Sequence, residues 1–366
     1  MADTDVKHLD ELFVRIWNEP LDLIVKELIR QPILSDYLDD HSKHRLALIA
    51  LTQTTVERFK AGSEAHRHTL HKTLGHIYAL HVSSPNQRPV FNQYDPTLIE
   101  IQRKLERAWE QFENARIPKM DPPSDAQTFA NWYKRLVVHE HPASTHPIFE
   151  YLANEATRRE LRAFFLNEIT VDSRFDDLVA LSQIAMEPLP KMELAENYWD
   201  EMGNGKQDAV HTYMFNHLLN ELGLNTENLN SLFDEVHWTS IACGNLLLYS
   251  VIHRQNIYKA LGAMGAVEML APKRFHKLVA GFERLGLSQT AQEYHRLHIA
   301  IDARHGLGWL RNAIAPAAEN NPTARREIIQ GAYYRLNTSL DYCNHLLATF
   351  KGIRKADAAT SDAMSG

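Results

Sequence analysis

The sequence predicts an all-α protein, and three observations carry that expectation. Apolar residues recur at offsets of three and four along nearly the whole chain, no segment shows the strict alternation of a half-buried strand, and Pro and Gly clusters cut the chain into helix-length pieces. At 366 residues and 44 % apolar, the chain can bury one large core and still carry an added segment. A formal charge of -7 disfavours a nucleic-acid or anionic-membrane surface, which would need a basic face, and leaves a small-molecule substrate or a protein as partner. Cys243 and Cys343 are too few for a disulfide framework or a thiolate-held metal. The start MADTDVKHLDEL lacks a basic segment followed by an apolar run, and a cytoplasmic location is expected.

Taken in order, Leu9 to Lys60 reads as helices through Leu12, Ile16, Leu21, Ile24 and Leu28, then Leu46, Ile49 and Val56. His66, His68, His71, His76 and His81 follow at offsets that leave any single helical face, which makes them ordinary structural histidines. Pro85, Pro89 and Pro96 mark a loop, and Leu98 to Asn114 is a charged helix. Pro118, Pro122 and Pro123 form the best boundary, giving an amino-terminal helical extension at 1–121, a main domain at 122–354 and a polar tail at 355–366 expected to be disordered. In the main domain, helices are expected over Ala126–Val138, Ile148–Ile169 and Phe175–Met186, the last closed by Pro188 and Pro190. His139, Glu140 and His141 read as loop polarity. Glu193–Leu222 is weakened at Gly203 and Gly205; Ile241–Leu270 is apolar and stopped by Pro272; Phe275–Leu285, Gln289 to about Pro316 and Arg325–Phe350 complete the set.

Four of these segments place acids or histidines where a site could form. His298, Asp302 and His305 lie four and seven apart, so at about 100° per residue they share one helical stripe. Glu168 follows Phe164 and Phe165, and Glu268 sits among Met264, Val267, Met269 and Leu270; either carboxylate buried alone would cost several kcal/mol. Asp208 and His211 share a face, and a local unwinding at the glycines could bring Glu201 to His211. Each group alone is also what the polar face or end of an amphipathic helix would show. Together they form the dinuclear carboxylate pattern of helical bundles, with Asp in place of some Glu. Mixed carboxylate and imidazole donors suit iron or manganese. Glu168, Glu201, Glu268 and Asp302 would neutralise two Fe(II), so Asp208 as a fifth anion fits better outside the ligand set.

The stretch from about Ser144 to Leu310 resembles the haem-oxygenase-like diiron oxidases and oxygenases, also called iron-containing redox enzymes. The resemblance rests on THPIFEYL, the helix ending FFLNE at Glu168, NYWDEMGNG followed by His211, Glu268 thirty residues before His298, and the HxxxDxxH of His298, Asp302 and His305. It implies a haem-oxygenase-like multi-helical bundle that binds two iron ions and no haem. Position by position it implies Glu168, Glu201, His211, Glu268, His298, Asp302 and His305 as ligands. Several family members carry Glu three before the ligand His where this chain has Asp208, so Asp208 or Glu201 completes the site beside His211.

The resemblance further implies an O2-dependent oxidoreductase with O2 as co-substrate, an external electron donor and no catalytic residues beyond the ligands. N-oxygenation of an amine or amino-acid-derived substrate in small-molecule biosynthesis is the expected reaction, because an extra carboxylate like Glu201 resembles a feature of N-oxygenating members. Oxidative C–C or C–H cleavage of a fatty acid or amino acid competes with it, as does a non-catalytic iron-binding scaffold. The amino-terminal helices are expected either to pack on the core or to form the face of a homodimer. Tyr198, Trp199, Tyr213 and Phe215 read as core, and Arg254 and Arg304 as surface ion pairs.

Overall fold

Residues 3–86 and 88–365 are described by the computed structural model, and every regular element among them is a helix. The chain divides into two compact units, Met1–Arg116 and Ile117–Gly366, so the division falls at the start of the proline-rich stretch, five residues before the expected boundary. No described helix is long and apolar enough to cross a membrane.

The first unit contains α1 (Asp3–Ile16), α2 (Leu21–Leu28), α3 (Leu34–Asp40), α4 (Ser42–Lys60), α5 (Glu64–Ala79) and α6 (Pro96–Ala115). Helix α6 starts two residues earlier than its apolar pattern, because the Asp95 carboxylate accepts the Leu98 N–H at 2.9 Å and Pro96 fits the first turn. On α5, His71 is buried edge-on against Trp109, and burial pushes its imidazole down to about 3. It is a neutral core ring.

The second unit contains α7 (Ala126–Arg135), α8 (Ile148–Asn154), α9 (Arg158–Glu168), α10 (Phe175–Ser182), α11 (Pro188–Glu201), α12 (His211–Glu221), α13 (Leu229–Glu235), α14 (Trp238–Ile252), α15 (Ile257–Leu285), α16 (Gln289–Gly308), α17 (Ala315–Ala318) and α18 (Pro322–Ser365). Helix α15 is central: it packs against α8, α14, α16 and α18. Its crossing with α18 is a backbone contact, since a Cβ at Gly262 would stand 1.9 Å from the Ile328 carbonyl oxygen and one at Gly331 2.0 Å from that of Lys259.

Several boundaries differ from the sequence reading, each for a local reason. Ile148–Ile169 is two helices, because Thr157 and Glu160 form a capping box: the Thr157 hydroxyl accepts the Glu160 N–H and the Glu160 carboxylate accepts the Thr157 N–H. Glu160 is therefore buried. Pro188 and Pro190 do not close a helix; Pro188 opens α11, where a missing N–H leaves no helical bond unmade. Pro272 does not stop α15, which runs 29 residues through it. A proline inside a helix costs roughly 3 kcal/mol and leaves the carbonyl four residues earlier, that of Glu268, without its helical donor; packing on all sides of α15 outweighs this. The apolar run 241–270 breaks instead at 254–256, where the Asn256 side chain donates to the Tyr249 carbonyl. Leu136–Glu140 is a π-helical turn, after which His141 is buried, accepting the Ala143 N–H and pairing through Nε2 with Asn337. The stretch 355–366, expected as a disordered tail, lies outside the residues whose side chains the structure describes.

Candidate metal centre

Glu201 ends α11 because the next residues cannot continue a right-handed helix. Gly203, Asn204 and Gly205 all have positive φ, and a Cβ on Gly203 would lie 2.5 Å from the Ala209 backbone. This unwinding folds the chain back, and His211 at the start of α12 arrives beside Glu201, its Nδ1 3.0 Å from Glu201 Oε2. Two donors at right angles on one first-row ion, each about 2.1 Å from it, stand about 3.0 Å apart. From α16, His298 brings Nε2 to 3.6 Å from Glu201 Oε1, with its ring 4.4 Å from that of His211. Glu201, His211 and His298 thus converge as one buried triad.

A second triad forms one turn further along α16. Glu268 on α15 meets Asp302 and His305, with His305 Nδ1 3.7 Å from Glu268 Oε2. Each α16 imidazole is oriented by an acceptor on its far nitrogen: His298 Nδ1 donates to the Tyr294 carbonyl at 2.7 Å, and His305 Nε2 donates to Asp200 Oδ2 at 2.9 Å. These bonds aim His298 Nε2 and His305 Nδ1 at the carboxylates, the arrangement of ligand histidines. Asp200 is itself held by Arg304 at 2.5 Å and by Asn204 Nδ2 at 2.9 Å.

The electrostatics are those of a cation site. Burial alone would raise the Glu201 carboxyl, but the adjacent His211 and His298 rings outweigh it and hold Glu201 at about 2. Burial lowers and the neighbouring Asp302 and Glu201 raise His298, which ends at about 9. Burial pushes Asp302 up to about 7, against His298 and with the help of Glu201. Glu268 is raised well above the carboxylate range by burial and by Asp302, Glu201 and Glu193. Glu268 Oε2, His211 Nδ1 and Asp172 Oδ2 are buried without a hydrogen-bond partner. Buried acids without hydrogen-bond partners, set among imidazoles, fit hard or borderline divalent ions such as Fe(II).

Six of the seven expected ligands are therefore brought together: Glu201, His211, Glu268, His298, Asp302 and His305. Asp208 is not; it lies exposed in the short turn 207–209, and Glu201 occupies the place beside His211. Glu168 joins neither triad. It accepts a hydrogen bond from the Tyr342 hydroxyl and lines a separate cleft. Asp172, a residue the sequence reading passed over, lines a small cavity together with Glu268, His298 and Asp302. At an offset of four from Glu168 it would share a face in a continuous helix, but α9 ends at Glu168 and the turn that follows carries Asp172 to the triads. Asp200 was also missed. Its signal was its place beside Glu201, since a ligand histidine needs an acceptor for its second nitrogen.

Of the flanking residues, Phe215 is core, but Trp199 and Tyr213 are more than half exposed. Arg304, more than half exposed, forms the expected ion pair with Asp200, whereas Arg254 donates to the main-chain carbonyls of Leu181 and Ile184.

An all-helical unit with two adjacent acid–imidazole triads defines the class as a helical protein with two candidate metal-ion sites side by side. Residues 162–339, a little under half of the chain, match the family model described as iron-containing redox enzyme. All six triad residues fall inside the match, which starts later and runs further than the resemblance read from the sequence. The chain is also 28 % identical over 141 residues to a 4-chloro-allylglycine synthase of Streptantibioticus cattleyicolor, covering 38 % of this chain and 52 % of that protein. The match thus spans about half the length of that relative.

Proposed function

We propose that the protein is a non-haem diiron oxidoreductase that uses O2 to oxidise an amino-acid-related small molecule in a biosynthetic pathway. The observation that carries this reading is the pair of buried triads side by side on α16. Glu201, His211 and His298 would hold one iron, and Glu268, Asp302 and His305 the other. Asp172 faces both from the turn after α9 and brings the carboxylates to four, which neutralises two Fe(II) without Glu168. When bound, the ferrous pair supplies electrons to O2, with an external donor restoring them. The chain's own contribution is positional. The Tyr294 carbonyl and Asp200 fix the two imidazoles, and Val267, Ala271 and Phe275 wall the approach with apolar surface that excludes water.

N-oxygenation was expected from Glu201 as an extra carboxylate; with Asp208 outside the site, Glu201 is the acid beside His211 and not an extra one, which weakens that reading. The name of the relative favours a second one, oxidative C–C or C–H chemistry on an amino acid, because allylglycine is an amino acid whose side chain carries a carbon–carbon double bond. Anaerobic titration with Fe(II) should saturate at two ions per chain, and Asp302→Ala should lower that stoichiometry; two-iron binding by the variant would show that the ligand face is wrong. Oxygen uptake on adding candidate amines, amino acids and fatty acids, with mass analysis of products, separates the chemistries. A gain of one oxygen on nitrogen marks N-oxygenation, and loss of two hydrogens or a carbon fragment marks the second reading. Two-iron binding with no substrate-dependent oxygen uptake would leave an iron-binding scaffold and sink the oxidase reading.

A further inference from the structure

Beside the triads lies a second cavity, with about 610 Å³ free of protein atoms including its open mouth, that none of the six triad residues lines. It is lined by two arginines, Arg274 from α15 and Arg335 from α18, with Glu168 and Tyr342. Arg335 is only 9 % exposed, yet its guanidinium makes no hydrogen bond or ion pair with any described residue, and its Nη1 is buried without a partner. Arg274 donates through Nη2 to the Ala143 carbonyl at 3.0 Å and to the Ser339 hydroxyl at 3.1 Å, while its Nε is buried and unpartnered. Glu168 acts on both guanidiniums across the cleft but forms an ion pair with neither, so two buried arginines face one acid, and their unpartnered Nη1 and Nε point to an anion that arrives with the ligand. The planar fork of arginine matches a carboxylate through two parallel bonds.

Glu168 narrows the class. It lies in the same cleft, hydrogen-bonded by Tyr342 and within the field of both arginines without an ion pair to either, so the cleft presents both signs of charge. A doubly charged anion such as phosphate would be repelled by Glu168, and a fatty acid would leave it unpaired. An α-amino acid satisfies both. Asp172, Val267, Ala271 and Phe275 line this cleft and also the small cavity at the triads, so the two spaces share a wall.

We propose that this cleft binds the α-amino-acid head group of the substrate: Arg274 and Arg335 take the carboxylate, Glu168 held by Tyr342 takes the ammonium, and the side chain runs past Asp172 and Phe275 toward the triads. The atom oxidised is then on the side chain and not the α-nitrogen. This rests on the reading of the triads as an oxidising centre for its functional meaning, but head-group binding is measured without turnover.

The test is calorimetry on the full iron-loaded chain kept free of O2, with a panel of proteinogenic and straight-chain α-amino acids. For the tightest binder, the free acid is compared with its methyl ester and with the same acid lacking the α-amine. Both analogues should bind at least tenfold more weakly. Arg335→Gln should erase the preference for acid over ester, and Glu168→Gln the preference for the amine-bearing acid, each with two irons still bound. An ester equal to the acid, a des-amino acid equal to the amino acid, or no binder in the panel at two irons per chain would overturn the proposal. The analogue comparison uses the unchanged protein and stands even if a variant fails to fold. Head-group discrimination in a chain that binds no iron would keep the cleft assignment and refute the oxidase reading instead.

Discussion

At the scale of single residues, the site is decided by where a few buried polar atoms find partners. Asp200 contacts no other ligand candidate than His305, yet it sets which nitrogen of that ring faces Glu268. Asp200→Asn keeps a hydrogen-bonding group and removes the charge, so iron affinity should fall by roughly ten- to a hundredfold, read by competition with a chelator. An unchanged affinity would show that Asp200 serves only to hold Arg304. Arg335 gives the opposite kind of expectation. Because its guanidinium is buried without a partner, Arg335→Met should raise unfolding free energy by about 1 to 3 kcal/mol, measured in urea, while removing the carboxylate anchor. A destabilised variant would mean that an unrecognised partner already satisfies the arginine.

At the scale of elements, the unwinding between α11 and α12 brings Glu201 to His211. The pair lies ten apart in sequence and would be about 15 Å apart along an unbroken helix, but the left-handed turn at 203–205 closes the gap. Gly203→Ala meets both a disfavoured φ of 61° and a Cβ placed 2.5 Å from the Ala209 backbone. It should cost about 2 to 4 kcal/mol and lower iron binding at the first triad, seen as a drop in thermal midpoint together with stoichiometry. A variant with full stability and two irons would show that the turn can be made another way. The two sheared helices α15 and α16 hold the remaining four ligands between them, and the Pro272 defect in α15 falls where Glu268 needs to sit rather than where the helix needs to end.

At the scale of the molecule, concentrating acids around α16 couples stability to pH and metal. In the metal-free chain, Asp302 binds its proton more tightly folded, at about 7, than at the usual 3.8, and Glu268 and Asp172 are raised in the same direction by burial. The folded state then holds more protons than the unfolded one between those values, so metal-free stability should fall as pH rises from about 4 to 7. Iron replaces those protons, so the loaded protein should lose that slope and gain stability with free metal; at a hundred times the dissociation constant the gain is about 2.7 kcal/mol. Denaturation curves with and without Fe(II) across that range check this, and parallel slopes would refute it.

The sequence by itself determined the class of the molecule and most of the candidate ligands that the fold brings together. Helical periodicity needs only local spacing, and His298, Asp302 and His305 share one regular helix, so their common face follows from backbone geometry alone. Glu268 was legible for a related reason: an acid in an apolar run must find a partner. What the tertiary structure decided lies where the backbone leaves regular helix or where partners come from distant segments. The turn after α9 exchanged Glu168 for Asp172, the unwound 203–205 segment chose Glu201 over Asp208, and the approach of α15 to α18 put Arg274 and Arg335 in one cleft. Helix pattern reports which face a residue occupies, but a few irregular dihedrals set which distant faces meet, and those are fixed by packing of the whole core.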